Sequence, residues 1–208
     1  TAAKTLYTAL DAAVDGVSIV LSNGTHEVAK QVVVDKNVEI CGLAPNPAET
    51  VVKRTDEPWT EPGFKTGASG VFIHGLTFDG GAINRPGWFM EGGGVMSNCV
   101  IRNMKNYTHW AVRGAVTAAA GALVTHCVIT NNTGNYAGDG SMTIVYAYGG
   151  SRFENCLIAC NKVTVDRPVV RGGNGAFVNC TVVSNVLSTG KLFLSDGATG
   201  VTNCIFAA

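Results

Sequence analysis

A cysteine-centred tripeptide recurs through the second half of this chain: Ser97-Asn98-Cys99, Thr125-His126-Cys127, Glu154-Asn155-Cys156, Val178-Asn179-Cys180 and Thr202-Asn203-Cys204. Successive cysteines lie 28, 29, 24 and 24 residues apart. A near-fixed period of this length marks one supersecondary unit repeated along the chain, each unit stacked on the next to bury its apolar face. The register extends beyond the cysteine. Three residues before it stand Met96, Val124, Phe153, Phe177 and Val201, and two after it stand Ile101, Ile129, Ile158, Val182 and Phe206. Short β-prone runs with apolar residues at fixed phase, punctuated by Gly92 to Gly94, Gly149-Gly150 and Gly172-Gly173, make the repeating element strand and turn.

Earlier segments fit the same frame with glycine in place of cysteine. Gly75 precedes Cys99 by 24 residues and Gly42 precedes Gly75 by 33, a longer step that predicts an inserted loop in the polar stretch from Arg54 to Ser69. The count comes to about seven coils. Ahead of them, residues 3–15 place Leu6, Ala9, Leu10 and Ala13 on one helical face and end at Asp15-Gly16, as expected of a short amphipathic helix capping the first coil. The chain therefore reads as one domain over residues 1–208, with coils from residue 17 onward.

Fifteen basic and fifteen acidic residues cancel and no Lys/Arg run occurs, so the electrostatic footprint of a nucleic-acid binder is missing. No apolar stretch approaches the ~20 residues of a membrane span. Five of the seven cysteines occupy one phase of the repeat, where parallel side-chain directions suit the disulfide torsion poorly and a buried thiol behaves as a small hydrophobe. Asn98, Asn155, Asn179 and Asn203, with His126 in one coil, predict a buried amide ladder. A second register is predicted at Asn132, Asn161 and Asn185, with Met104 in its first coil.

The short helix, the run DGVSIVLSNGTHEVAKQVVVDKNVEICGL at 15–43, GVFIHGLTFDGG at 70–81 and the repeated Asn-Cys coils resemble the right-handed parallel β-helix proteins of the pectate-lyase-like superfamily. They also resemble related repeat proteins of bacterial surface and secreted chains. The resemblance implies an all-β right-handed solenoid and a secreted or cell-surface location in a bacterium. It leaves activity open, because the superfamily includes lyases, hydrolases, isomerases, phage spikes and adhesins.

A third stretch in each coil carries the candidate chemistry. Trp88 to Glu91, Trp110 to Arg113, Ile144 to Tyr148, Val169 to Arg171 and Leu192 to Asp196 could align Glu91, Arg113, Tyr148, Arg171 and Asp196 in one outward row. Aromatic faces pack on sugar rings and arginine forks bind uronate carboxylates. Trp88, Glu91, Trp110, Tyr148 and Asp196 are accordingly the candidate substrate-binding residues, against the plainer reading of solvated charges and tryptophans packed under loops. Arg113 and Arg171 are the candidate bases should the chain be a polyuronate lyase.

Such a lyase would use a cation, often calcium, yet the acids are dispersed and no calcium-loop spacing occurs; no metal ligand set is predicted and no cofactor is expected unless calcium serves a lyase. The Asp-Asp pair and Gly-His-Gly run of polygalacturonases are absent. The leading expectation is a secreted or cell-surface module for glycan binding, adhesion or self-association, with a polysaccharide or cell-surface glycan as partner. The alternative is a polyuronate lyase acting by β-elimination. Because the last coil, Val201 to Phe206, runs to the end of the sequence without a cap, a longer parent chain or end-to-end association through that coil is also expected.

Overall fold

The computed structural model describes residues 5–55, 62–81, 87–106, 114–135, 143–188 and 190–207. One short helix, Leu6–Ala12, is followed by strands of two to five residues. Thr5 caps the helix through a reciprocal bond with Thr8, and its buried Leu6 and Leu10 join the core at the first coil, as expected of the cap.

Successive coils visit the sheets in the same order, with strands of the third sheet only in the four coils between Lys105 and Leu187. The first sheet collects Ser18–Leu21, Glu39–Gly42, Phe72–His74, Val95–Ser97, Leu123–Thr125, Arg152–Glu154, Ala176–Val178 and Gly200–Thr202. The second runs from Gly24–Val28 through Thr50–Arg54, Thr77–Asp79 and later coils to Ile205–Phe206, again with eight strands. A third, of four strands, joins Lys105–Asn106, Thr133–Gly134, Lys162–Val163 and Val186–Leu187. The fourth stacks Val32–Val34, Phe64–Thr66, Trp88–Met90, Val116–Ala118, Val145–Tyr148, Val170–Gly173 and Phe193–Asp196. All pairings between these strands are parallel, each strand paired to its counterpart one coil on. The chain is thus an all-β right-handed parallel β-helix whose seven-stranded fourth sheet matches the expected seven coils.

The apolar phase seen in sequence is the inside of the coil. Ile73, Met96, Val124, Phe153 and Phe177 pair in register down the first sheet, and Phe78, Ile101, Ile129, Ile158 and Val182 down the second, all essentially without exposed surface. Phe153 and Phe177 stack at 5.4 Å between ring centroids. Each strand is short because the chain must turn a corner every few residues, so one central inward side chain flanked by half-buried neighbours is enough to define it.

Left-handed residues turn the corners. Asn98, His126, Asn155, Asn179 and Asn203 all have φ between +49° and +54°, and Gly75 has +66° at the equivalent place. Two expectations are corrected here. Gly75 stands in the asparagine position, since Ser97 pairs with His74 and Val100 with Thr77, so buried Leu76 takes the place of the cysteine. The asparagine register itself is exposed: a residue at a sharp left-handed corner points its side chain away from the coil. Its amides still link outside the helix, Asn203 Nδ2 to Asn179 Oδ1 at 2.8 Å and Asn179 Nδ2 to Asn155 Oδ1 at 3.2 Å.

The second register is the buried ladder. Asn132 Nδ2 donates to Asn161 Oδ1 and Asn161 Nδ2 to Asn185 Oδ1, both at 3.0 Å, and the ladder ends where the Met104 N–H donates to Asn132 Oδ1. The long step between Gly42 and Gly75 arises in part from residues 43–49 between the first and second sheets, where other coils use two residues, and in part from the nine residues between Arg54 and Phe64, where the preceding coil has three. Pro47–Glu49 form a 3-10 turn in the first of these, capped by Asn46. The loop had been expected at Arg54 to Ser69, part of which, 56–61, lies outside the described residues; Arg54 and Phe64–Thr66 belong to strands.

Candidate functional site

Parallel register on the fourth sheet decides which side chains share its outer face. Phe89, Tyr146, Arg171 and Leu194 fall on one outward row; Tyr148, Gly173 and Asp196 fall on the next, two residues along the strands. The predicted single row is therefore two rows, and Arg171 reaches diagonally from one to the other to pair its Nε with Asp196 Oδ2. Tyr146 and Tyr148, on the same face because strand side chains alternate, stack with centroids 5.0 Å apart and planes 20° apart. The Arg171 guanidinium lies 5.4 Å from the Tyr146 ring centroid. A Cβ at residue 173 would stand 2.7 Å from the Tyr146 hydroxyl, so glycine there gives the ring its room. Beside this cluster an open pocket of about 260 Å³ is lined by Asp166, Arg167, Pro168, Arg171, Lys191 and Leu194.

Tyr148, Arg171 and Asp196 are thus brought together as expected. Tyr146 was missed, although its place two residues before Tyr148 in one strand signals a shared face. Glu91 is exposed and paired with Lys65, four coils from Asp196, or about 19 Å at the ~4.8 Å spacing of strands. Trp88 is a correction. Only 2 % exposed, it lies inside the solenoid, stacked on Phe64 at 4.9 Å and edge-on to Phe78, because the Trp88–Met90 strand puts its first and third residues inward. Trp110 and Arg113 lie outside the described residues.

Two stacked phenol rings offer a flat, partly apolar surface with polar rims, and a guanidinium beside them presents a fork that fits a carboxylate. Arg171, the candidate base, donates its Nε–H to Asp196.

A second cluster, unforeseen in the sequence, lies on the outer face of the first sheet. Cys41 and His74 are paired residues of adjacent strands, and Glu39 is two residues before Cys41. Donor atoms of Glu39, Cys41 and His74 all fall within 4.8 Å of one another. His74 Nε2 lies 2.8 Å from Glu39 Oε1, the Ser18 hydroxyl donates to Glu39 Oε2, and the Phe72 ring stacks on His74 at 4.5 Å. Bonds from Ser18 and His74 hold the Glu39 carboxyl below the usual range, whereas burial and the Glu39 charge push the Cys41 thiol up. That thiol is no activated nucleophile.

All seven cysteines are free. Cys99, Cys127, Cys156 and Cys180 are buried in one stack, each thiol donating to backbone carbonyls, such as Cys127 to Thr125 O at 3.2 Å. The neighbouring Cys127 thiol and burial push Cys156 up to about 12, consistent with a structural role. Cys160 is outside this stack, exposed at a left-handed corner with φ +57°.

No protein-family model and no curated protein matches this chain. Among solved structures, the ORF18 protein of Geobacillus virus E2 is similar over 90% of this chain at 16% identity with a TM-score of 0.56; the chain spans 40% of that protein's length. A pectin methylesterase from Aspergillus niger is similar over 99% of this chain and 82% of its own, at 14% identity and a TM-score of 0.46. The A-module of a mannuronan C-5 epimerase from Azotobacter vinelandii is similar over 95% of this chain and 70% of its own, at 19% identity and a TM-score of 0.43. The first likeness and the coil geometry agree on a parallel β-helix fold and on nothing finer.

Proposed function

We propose that the chain is a secreted or cell-surface β-helix module that binds an acidic polysaccharide through the outer face of its fourth sheet. The observation that supports this is the Tyr146–Tyr148 stack beside the Arg171–Asp196 pair, at the edge of a pocket bearing Arg167 and Lys191. Three basic side chains against two acidic ones favour a uronate over a neutral sugar. A polymer lying along the solenoid axis would cross successive coils at the strand spacing, so the row supplies repeated contacts rather than one deep pocket.

Calorimetry with polygalacturonate, alginate and a neutral glucan tests the reading. Binding of a polyuronate is expected, with Tyr146→Ala and Arg171→Ala each weakening it about ten-fold, equivalent to ~1.4 kcal/mol. Equal binding by both variants and the parent chain would remove this face from the proposal. The lyase alternative is supported by the arginine at the pocket rim alone; a calcium-dependent rise in ultraviolet absorbance on a polyuronate, lost in Arg171→Ala, would displace the module reading. Sedimentation at increasing concentration tests self-association through the Gly200–Phe206 coil.

A further inference from the structure

The geometry points to a binding site for a zinc-class divalent cation formed by Glu39, Cys41 and His74 on the outer face of the first sheet. One carboxylate oxygen, one thiol sulfur and one imidazole nitrogen meet within 4.8 Å. Tetrahedral coordination needs donors at ~2.0–2.3 Å from the ion, and three donor atoms within 4.8 Å of one another lie near the spacing this requires. The donor chemistry selects the ion. Sulfur and imidazole suit zinc, cobalt or nickel and are foreign to calcium and magnesium, which take oxygen ligands.

Supporting residues orient the donors as the surroundings of a metal site do. The Ser18 hydroxyl holds the carboxylate oxygen not used toward His74, and Phe72 fixes the imidazole plane by stacking. The cluster is open to solvent at its rim. Cys41 is 9% exposed at the floor, whereas the side chains of His74 and Glu39 are 33% and 35% exposed at the rim. Next to His74 an open pocket of about 350 Å³, bounded by the loop after Gly42 and by Asn98, leaves a fourth coordination position to water or a small anionic ligand. The site shares no residue with the fourth-sheet patch, so it stands or falls independently of the glycan reading.

The probe is cobalt(II) added to the reduced, metal-stripped chain. Expected are one equivalent bound, a thiolate-to-cobalt charge-transfer band in the near ultraviolet, visible bands of tetrahedral intensity, and loss of all of them when zinc is added. Cys41→Ser, nearly isosteric, should abolish the charge-transfer band, and Cys160→Ser should leave it unchanged. His74→Gln, at a half-exposed position where folding is not at stake, should weaken cobalt binding at least ten-fold. Absence of the band in the parent chain, its survival in Cys41→Ser, or unchanged affinity in His74→Gln would each overturn the site and leave an ordinary Glu39–His74 pair over a buried thiol.

Discussion

Asn161 is where the buried ladder is most exposed to a test. Its side chain has no accessible surface; Oδ1 accepts from the backbone N–H and the Nδ2 of Asn132, both at 3.0 Å, and Nδ2 donates to Ile129 O, Ala159 O and Asn185 Oδ1. Asn161→Ala leaves the Asn132 N–H buried without its acceptor, a loss of about 1–3 kcal/mol, and deletes further bonds worth about 1 kcal/mol net. The total is about 3 kcal/mol. At about 2–4 °C per kcal/mol for a chain of this length, Tm should fall by about 6–12 °C in a thermal melt followed by circular dichroism. The matched control is Asn155→Ala on the exposed ladder. It loses one 3.2 Å bond and places alanine at φ +54°, together about 1–2 kcal/mol. A fall in Asn161→Ala no larger than that in Asn155→Ala would refute the claim that the inner amide row sustains the stack.

Phe177→Ala, which empties a site between Phe153 and Phe193, should cost about 3–5 kcal/mol by chemical denaturation, and Phe177→Leu clearly less. Trp88→Phe should lower stability, because the ring is internal and packed on Phe64 and Phe78, yet leave polyuronate binding nearly unchanged; lost binding in the folded variant would put Trp88 back in the site. Burial alone would raise the Asp79 carboxyl, but the Gly81 N–H, the Asn103 amide and the Arg102 guanidinium outweigh it and hold it low. A carboxyl lowered in the folded state stabilises above its unfolded pKa of ~3.9 and loses that contribution as pH falls through the folded value, so Asp79→Asn should flatten the acid limb of a stability–pH curve. With a thiol reagent, Cys160 should react in the native chain and the four buried ladder cysteines only on unfolding; rapid native reaction of Cys127 would contradict the stacking.

The coils were legible because three signals coincide in phase: an inward residue before the corner, a cysteine just past it and an inward residue after it. What the sequence hides is the direction a side chain takes at the corner. Asn98 and Asn132 are alike in composition and recurrence, yet one sits at a left-handed corner outside and the other within the coil. Trp88 was misplaced for a related reason, since a three-residue strand turns its first residue inward and a shift of one residue reverses the face. The Glu39–Cys41–His74 cluster did have a signal. Aligning Gly42 with Gly75 places Cys41 and His74 at one position of the repeat, and adjacent coils make equal positions neighbours, however many residues the corner loop inserts between them.

The last full coils repeat at 24 residues, and each strand pairs only with its counterparts one coil before and after. A gene encoding such a chain can duplicate or delete one such segment and deliver a molecule longer or shorter by one strand spacing, ~4.8 Å, with every other contact kept. Reach is then adjustable in fixed increments without redesigning a core, and a binding row along the fourth sheet would lengthen in the same steps.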